Sequence, residues 1–267
     1  MGRIFITRSF DGLGLSTAKQ LVSRGHTVYL HGRDGTRAEA ARAACPGAAD
    51  LLLGDLASME ETRALASSVA ALGPLDCILH NAGLYLGPYR AQAEGYPSVF
   101  AVNVLAPYLL TCLVPRPRRP RRMVFVSAGT HRNGSSSLDD FGWRARHAAG
   151  QFSDEGAYAD TKLYNVMLGY AFARRFAAAG VVAHSVDPGW VSAKMGGTGG
   201  PGDVEAAERL YVMLAEGSGE AEGRSGCYWE TGKKGPASPK EDARDEAAQD
   251  ALLEKLAEIT GVAVPEP

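Results

Sequence analysis

The sequence predicts an α/β fold, one doubly wound parallel sheet of about seven strands flanked by helices. Three observations lead there. Short β-branched runs alternate with alanine-rich amphipathic stretches along the chain, the pattern of strands joined by crossover helices. The runs are apolar nearly throughout rather than at every second residue, which suits strands covered on both faces. The length, 267 residues, is enough for one full core, so residues 1–267 read as a single domain.

Taken in order, the strands are Arg3–Thr7, Thr27–His31, Asp50–Gly54, Asp76–His80, Arg122–Ser127, Val181–Val186 and Gly226–Trp229. The helices between them are Gly14–Arg24, Ala57–Ala71, Tyr96–Val114, Ala157–Ala179 and Val204–Glu216, with a last one at Asp242–Ile259. Two stretches are irregular. Pro115–Arg122, rich in arginine and proline, precedes a strand and so lies opposite the sheet edge where α/β folds bind ligands; it reads as a solvated loop. The stretch 129–156 is long, polar and carries Phe141, Trp143 and Phe152; it follows a strand's carboxyl end, where its aromatics would line or cover a substrate pocket. The stretch 195–226, opening on the glycine-rich Met195–Gly202, is a second candidate lid.

Composition removes several function classes. A net charge of −2 gives no ground for a nucleic-acid or membrane-surface partner. The cysteines Cys45, Cys77, Cys112 and Cys227 are scattered, with no Cys-x-x-Cys pair, which argues against a metal site or disulfide framework and fits a reducing cytoplasm. Met1-Gly2-Arg3 runs straight into an apolar strand, and no apolar run reaches the ~20 residues of a membrane helix. A cytoplasmic protein acting on a small molecule is expected.

Two constellations carry chemistry. Tyr158 and Lys162 are four apart, hence on one helix face; an ammonium beside a phenol favours the phenolate and would lower the tyrosine pKa, making it a general acid or base. Gly12 and Gly14 lie where the first strand turns into the first helix, where glycine lets backbone approach a pyrophosphate and the helix N-terminus offers free N–H groups.

With these residues the chain resembles the short-chain dehydrogenase/reductase superfamily, in particular its retinol-dehydrogenase-like branch, from Gly2 to about Val262. The resemblance rests on Thr7, Gly12, Leu13 and Gly14 in the opening turn; Asp55 and Leu56 after the third strand; Asn81, Ala82 and Gly83 after the fourth; Asn103; the Tyr158/Lys162 pair; and Pro188, Gly189, Trp190 and Val191. It implies a Rossmann-type sheet and an NADP(H) cofactor. Tyr158 would exchange a proton with the substrate oxygen, Lys162 would tune it and hold the nicotinamide ribose, and Asn103 would support a proton relay. Asp55 would contact adenine, Asn81–Gly83 would back the adenosine ribose, and Arg33 would favour a 2′-phosphate, with Asp34 beside it where an NAD-type acid falls. A homo-oligomer paired through its long helices is also implied, with Phe100, Tyr108 and Phe172 either helix core or interface.

Three positions depart from the family pattern. Arg8 replaces the first glycine; its guanidinium either fills the nucleotide's space or swings aside and grips a phosphate. Ala128 replaces the serine that would contact the developing oxyanion, and Ser127, one residue earlier, should point the other way by strand alternation. Ala193 replaces a threonine that holds the nicotinamide amide. Arg8 and Ala193 together make NADP(H) binding an open question.

Three functions follow as expectations. The leading one is an enzyme moved away from hydride transfer, in which Tyr158 supplies acid/base catalysis to a carbonyl- or phenol-bearing molecule for cyclisation, dehydration or isomerisation. The alternative is an NADP(H)-dependent carbonyl reductase or alcohol dehydrogenase that tolerates the changes. The third is a silent partner subunit. Ser127, His131, Tyr85, Trp143 and Trp190 are the candidate substrate contacts, and His80 and His184 read as core histidines.

Overall fold

The computed structural model describes residues 1–85, 89, 95–115, 119–193 and 197–267, and of 192, 193 and 197–199 the backbone alone. Its strands are β1 (Arg3–Ile6), β2 (Thr27–Gly32), β3 (Asp50–Leu53), β4 (Cys77–His80), β5 (Arg122–Val126), β6 (Val182–Asp187), β7 (Val191–Ala193), β8 (Gly197–Pro201) and β9 (Cys227–Glu230). Seven form one parallel sheet in the order β3-β2-β1-β4-β5-β6-β9, and β7 and β8 pair antiparallel apart from it. The expected fold class is observed. The order reverses direction between β1 and β4, which opens a crevice at the carboxyl ends of those strands.

The helices are α1 (Gly12–Ser23), α2 (Gly35–Ala44), α3 (Met59–Ala71), α4 (Ser98–Phe100), α5 (Ala106–Cys112), α6 (Arg144–Ala148), α7 (Asp154–Arg175), α8 (Val204–Glu216) and α9 (Glu246–Thr260). Helix α2 was not expected: alanine and charged residues give it no large apolar stripe. What starts it is a cap, the Asp34 carboxylate accepting from the Arg37 N–H at 3.0 Å. The same device starts α7 ahead of Ala157, because the Ser153 hydroxyl accepts from the Gly156 N–H at 3.2 Å. The expected helix Tyr96–Val114 is α4 and α5 joined by a π-wound segment, Ala101–Leu105, that contains Asn103.

Phe100, Tyr108 and Phe172 are fully buried within the chain, with Phe172 stacked on Phe125 at 5.8 Å; they are core, not an interface. His80 and His184 are buried core groups too, His80 stacked on Phe125 and His184 edge-on to Trp229. Of the arginine-rich stretch, residues 116–118 lie outside the described residues. Arg119 is not solvated as expected: it is buried over the Phe176 ring, 4.1 Å from its centroid, and donates to the Glu266 carbonyl. Among the described residues no helix is long and apolar enough to cross a membrane.

Candidate active site

A cavity of about 430 Å³ opens at the carboxyl edge of the sheet, running from the N-terminus of α1 to the middle of α7. Its α1 end is built by the turn after β1. Arg8 adopts a left-handed backbone (φ 50°), the conformation that favours glycine. Two bonds hold it there: the Arg8 N–H donates to Nδ1 of His31 at 2.9 Å, and the Arg8 carbonyl accepts from Nδ2 of Asn81 at 3.0 Å. Nε2 of His31 faces the Gly54 carbonyl at 3.0 Å, so the proton is on Nε2, and burial pushes this imidazole down to about 4. Asn81 also donates to the Thr7 carbonyl, and the Thr7 hydroxyl accepts from the Ala82 N–H at 2.9 Å. The family-type turns after β1 and β4 are thus one hydrogen-bonded unit.

Gly14 is required by packing. A methyl group there would lie 2.5 Å from Nδ2 of Asn81 and 2.6 Å from the Arg8 carbonyl. Asp11 precedes α1 in extended backbone with no side-chain cap bond, and Gly12, Leu13 and Gly14 line the cavity at the helix N-terminus, where the first N–H groups have no partner within the helix. The Arg8 guanidinium also borders it, 3.5 Å from the Gly83 carbonyl and 3.9 Å from the Asp11 carboxylate.

At the other end stand Tyr158 and Lys162, both buried on α7. The ammonium of Lys162 donates to the Val126 carbonyl at 3.0 Å and lies 5.3 Å from the Tyr158 ring centroid. Desolvation lowers Lys162 to about 8, opposed by the Asp187 carboxylate and assisted by Arg8. Tyr158 departs from expectation. Burial, then the Asp187 charge, then Tyr85, push the phenol up rather than down. The physical reason is that the enclosed ring loses hydration, while the lysine's nearest bond is to a carbonyl of β5. Tyr85 packs edge-on to Tyr158 at 4.7 Å and lines the cavity with Trp190, which is 62% exposed at its rim.

Asn103 does not fit a side-chain relay. Its amide donates to the Leu84 carbonyl and to the Thr161 hydroxyl, and its oxygen accepts from the Leu84 N–H, so every polar atom is engaged. It ties the turn after β4 to α7 and so positions Tyr158, whose carbonyl accepts from Thr161.

Ser127 borders the cavity, but its hydroxyl donates to the Lys162 carbonyl at 2.8 Å, turned toward α7 as alternation requires. It does not replace the serine missing at Ala128. His131 and Trp143 are not pocket residues, contrary to expectation. His131 is buried against Tyr228, with Nδ1 donating to the Ala128 carbonyl and Nε2 accepting from the Lys240 N–H. The indole N–H of Trp143 donates to Asp160 on α7, and its ring packs edge-on to Phe100 in the core. Each has its polar atoms engaged inside the protein and so anchors the stretch 129–156 instead of facing substrate. Phe141 and Phe152 pack against the same core.

The remaining sites divide by position. Pro188, Gly189 and Val191 border the cavity beside Trp190. Arg33, Asp55 and Leu56 lie at the carboxyl ends of β2 and β3, outside it. Arg33 is half exposed, 3.7 Å from Asp34, and Asp55 accepts from the Ala57 N–H, while Leu56 is buried core. The side chain of Ala193 and residues 194–196 of the second lid lie outside the described residues. The rest of that stretch includes α8, a core helix from which Tyr211 reaches the cavity.

Sequence reasoning missed Tyr211 and Asp187. Asp187 ends β6, is 5% exposed, and lines the cavity with Tyr158. Burial raises its carboxyl, which Lys162 partly offsets. An acid at a strand's carboxyl end, on the α7 face by alternation with Ser185, was the signal available.

Comparison with known proteins agrees with this geometry. Residues 3–137 match the short chain dehydrogenase family. The chain is 41% identical to the short-chain dehydrogenase chyC of Penicillium rubens, over 99% of this chain and all of the relative. It is 26% identical to human retinol dehydrogenase 13, covering 98% and 85% of the two chains. The crystal structure of an uncharacterized protein from Mycobacterium paratuberculosis superposes with a TM-score of 0.84 at 27% identity, over 99% and 95% of the chains.

Proposed function

The chain belongs to the short chain dehydrogenase family, and from that premise we propose that it is an NADP(H)-dependent carbonyl reductase or alcohol dehydrogenase acting on a small molecule. The observation that carries this reading is the continuity of the cavity, from the N-terminal N–H groups of α1 to the buried phenol of Tyr158. Those N–H groups, with no side chain at Gly12 or Gly14 in the way, fit a pyrophosphate. Arg8 and Arg33 would hold the 2′-phosphate, Lys162 the nicotinamide ribose, and Gly189 to Val191 the nicotinamide. When bound, the cofactor gives or takes the hydride.

The chain's own residues handle the proton. Tyr158 is held protonated by its surroundings, the form that a carbonyl reduction consumes. Asn103 and Thr161 hold the helix turn that carries it. The Arg8 guanidinium, 3.5 Å from the Gly83 carbonyl, 3.9 Å from the Asp11 carboxylate and over the Phe10 ring, would donate to a phosphate as a bidentate pair. Calorimetric titration with NADPH and NADH, followed by NADPH-consumption assays on small ketones, tests this. Micromolar NADPH binding and turnover lost in Tyr158→Phe are the expected result; absence of nucleotide binding removes the reading.

A second reading, acid/base chemistry without hydride transfer, is favoured by one observation: Ala128 brings no hydroxyl and Ser127 is turned away. It predicts that a carbonyl-bearing ligand is transformed without NADPH consumption, still dependent on Tyr158.

A further inference from the structure

Asp187 is the charged group that neither reading uses. It lies one strand over from Ser127, at the end of β6, and faces α7 as Ser185 does. Its Oδ1 accepts from the Gly189 N–H at 2.8 Å. The hydroxyl of the buried Tyr228, which has no other hydrogen-bond partner, lies beside the carboxyl as a second donor. Its Oδ2 lies over Gly129: a methyl group there would stand 3.3 Å from this oxygen, so the glycine leaves it room. The walls around it are aromatic, from Tyr85, Tyr158, Trp190 and Tyr211.

A carboxylate offers about four lone-pair sites, of which Gly189 and Tyr228 fill at most two, and a buried one is costly unless more of them are completed. The groups that face it from the packed elements are Lys162 of α7, Arg132 of the turn after β5, Glu230 of β9 and the phenols of Tyr158, Tyr211 and Tyr228. Burial and Glu230 raise its pKa, and the charges of Lys162 and Arg132 act against that rise. Neither donates a bond to it, since Lys162 is bonded to Val126, and Arg132 to Glu230 and Ser238. Asp187 lines the cavity, so the acceptor capacity that Gly189 and Tyr228 leave is open to a ligand there.

We propose that Asp187 is the polar recognition group of the substrate half of the cavity, and that the substrate presents to it an N–H or O–H donor close to the carbonyl that Tyr158 serves. This rests on the carbonyl reading above and names its substrate class: a compact aromatic ketone or alcohol carrying a neighbouring amine, amide or hydroxyl. The aromatic walls accept the flat body, and Asp187 sets its orientation. A plain ketone of the same shape leaves the remaining acceptor capacity of the carboxylate unfilled, the situation in which sites built around a hydrogen bond discriminate most strongly.

The probes are 2-aminoacetophenone and acetophenone, which differ only in the amine. Binding to the purified protein is measured by calorimetry, and NADPH-dependent reduction separately. The expected result is tighter binding of the amino ketone by about tenfold or more in the wild type. That ratio should fall to near one in Asp187→Asn, which keeps an oxygen for Gly189 but turns the cavity-facing end into a donor. Gly129→Ala, which crowds Oδ2 without touching its charge, should shrink the ratio as well. Equal affinities in the wild type, or a ratio that survives Asp187→Asn, overturn the proposal. If the amino ketone binds in this Asp187-dependent way but neither compound is reduced, the recognition role stands and the reductase reading fails. If both are reduced with no preference, the reverse holds.

Discussion

The backbone N–H of Arg8 donates to Nδ1 of His31 at 2.9 Å while Arg8 itself holds φ at 50°. A histidine buried in β2 thus keeps a non-glycine residue in a glycine conformation. The strain of a left-handed side-chain-bearing residue is of the order of 1 to 3 kcal/mol, and this bond and that from Asn81 offset it.

Arg8→Gly is therefore expected to raise stability by about 1 kcal/mol, read as a higher urea midpoint with an unchanged slope. Arg8→Ala keeps the strain and removes the charge. It should weaken NADPH about tenfold by calorimetry, the worth of one charge-assisted hydrogen bond. Tighter NADPH binding in either variant would instead mean that the guanidinium obstructs the nucleotide.

Gly14→Ala is the sharper packing test. Its methyl would overlap Asn81 and the Arg8 carbonyl, both backed by backbone, so the two turns must separate. A loss of about 1 to 3 kcal/mol in thermal or urea unfolding is expected, together with loss of nucleotide binding.

The pair Ser127 and Ala128 separates structure from chemistry. Ser127→Ala removes the bond to the Lys162 carbonyl and should cost about 1 kcal/mol of stability. Ala128→Ser places a donor where the family has one and should raise kcat for ketone reduction tenfold or more, as oxyanion donors are worth roughly a hundredfold or more when removed. No gain in Ala128→Ser would count against hydride transfer as the native reaction.

Two pH dependences follow from burial. His31 falls from its ordinary 6.5 to about 4 in the fold. The unfolded chain therefore takes up the proton first, so stability is full above about pH 6.5 and is lost as pH falls toward 4, by at most about 3 kcal/mol from this residue. His31→Gln should flatten that part of a plot of unfolding midpoint against pH. Lys162, lowered to about 8, should lose its proton just above neutrality. The kcat/KM profile is then expected to fall as pH rises through about 8, and a flat profile to pH 9 would show that its charge is not needed.

Much of the site was legible because local rules suffice for it. The i, i+4 spacing put Tyr158 and Lys162 on one buried helix face, and alternation turned Ser127 away from Ala128's side, toward α7. Where those rules failed, a partner distant in sequence decided the matter. His131 looked like a substrate contact by its place just after β5, yet Lys240 and Ala128 occupy both of its nitrogens. Trp143 looked like a pocket aromatic until Asp160 took its indole N–H.

The chain's order of short apolar runs and alanine-rich helices determined the sheet, and its glycines and Tyr158/Lys162 pair determined the turn and the helix face that border the cavity, because periodicity and backbone freedom are properties of neighbours in sequence. The ionisation of those groups belongs to the tertiary structure alone. Tyr158 is pushed up, not down, and Asp187 enters the cavity at all, because enclosure and the charges of other strands set the cost of each proton, and enclosure exists only once the strands are assembled.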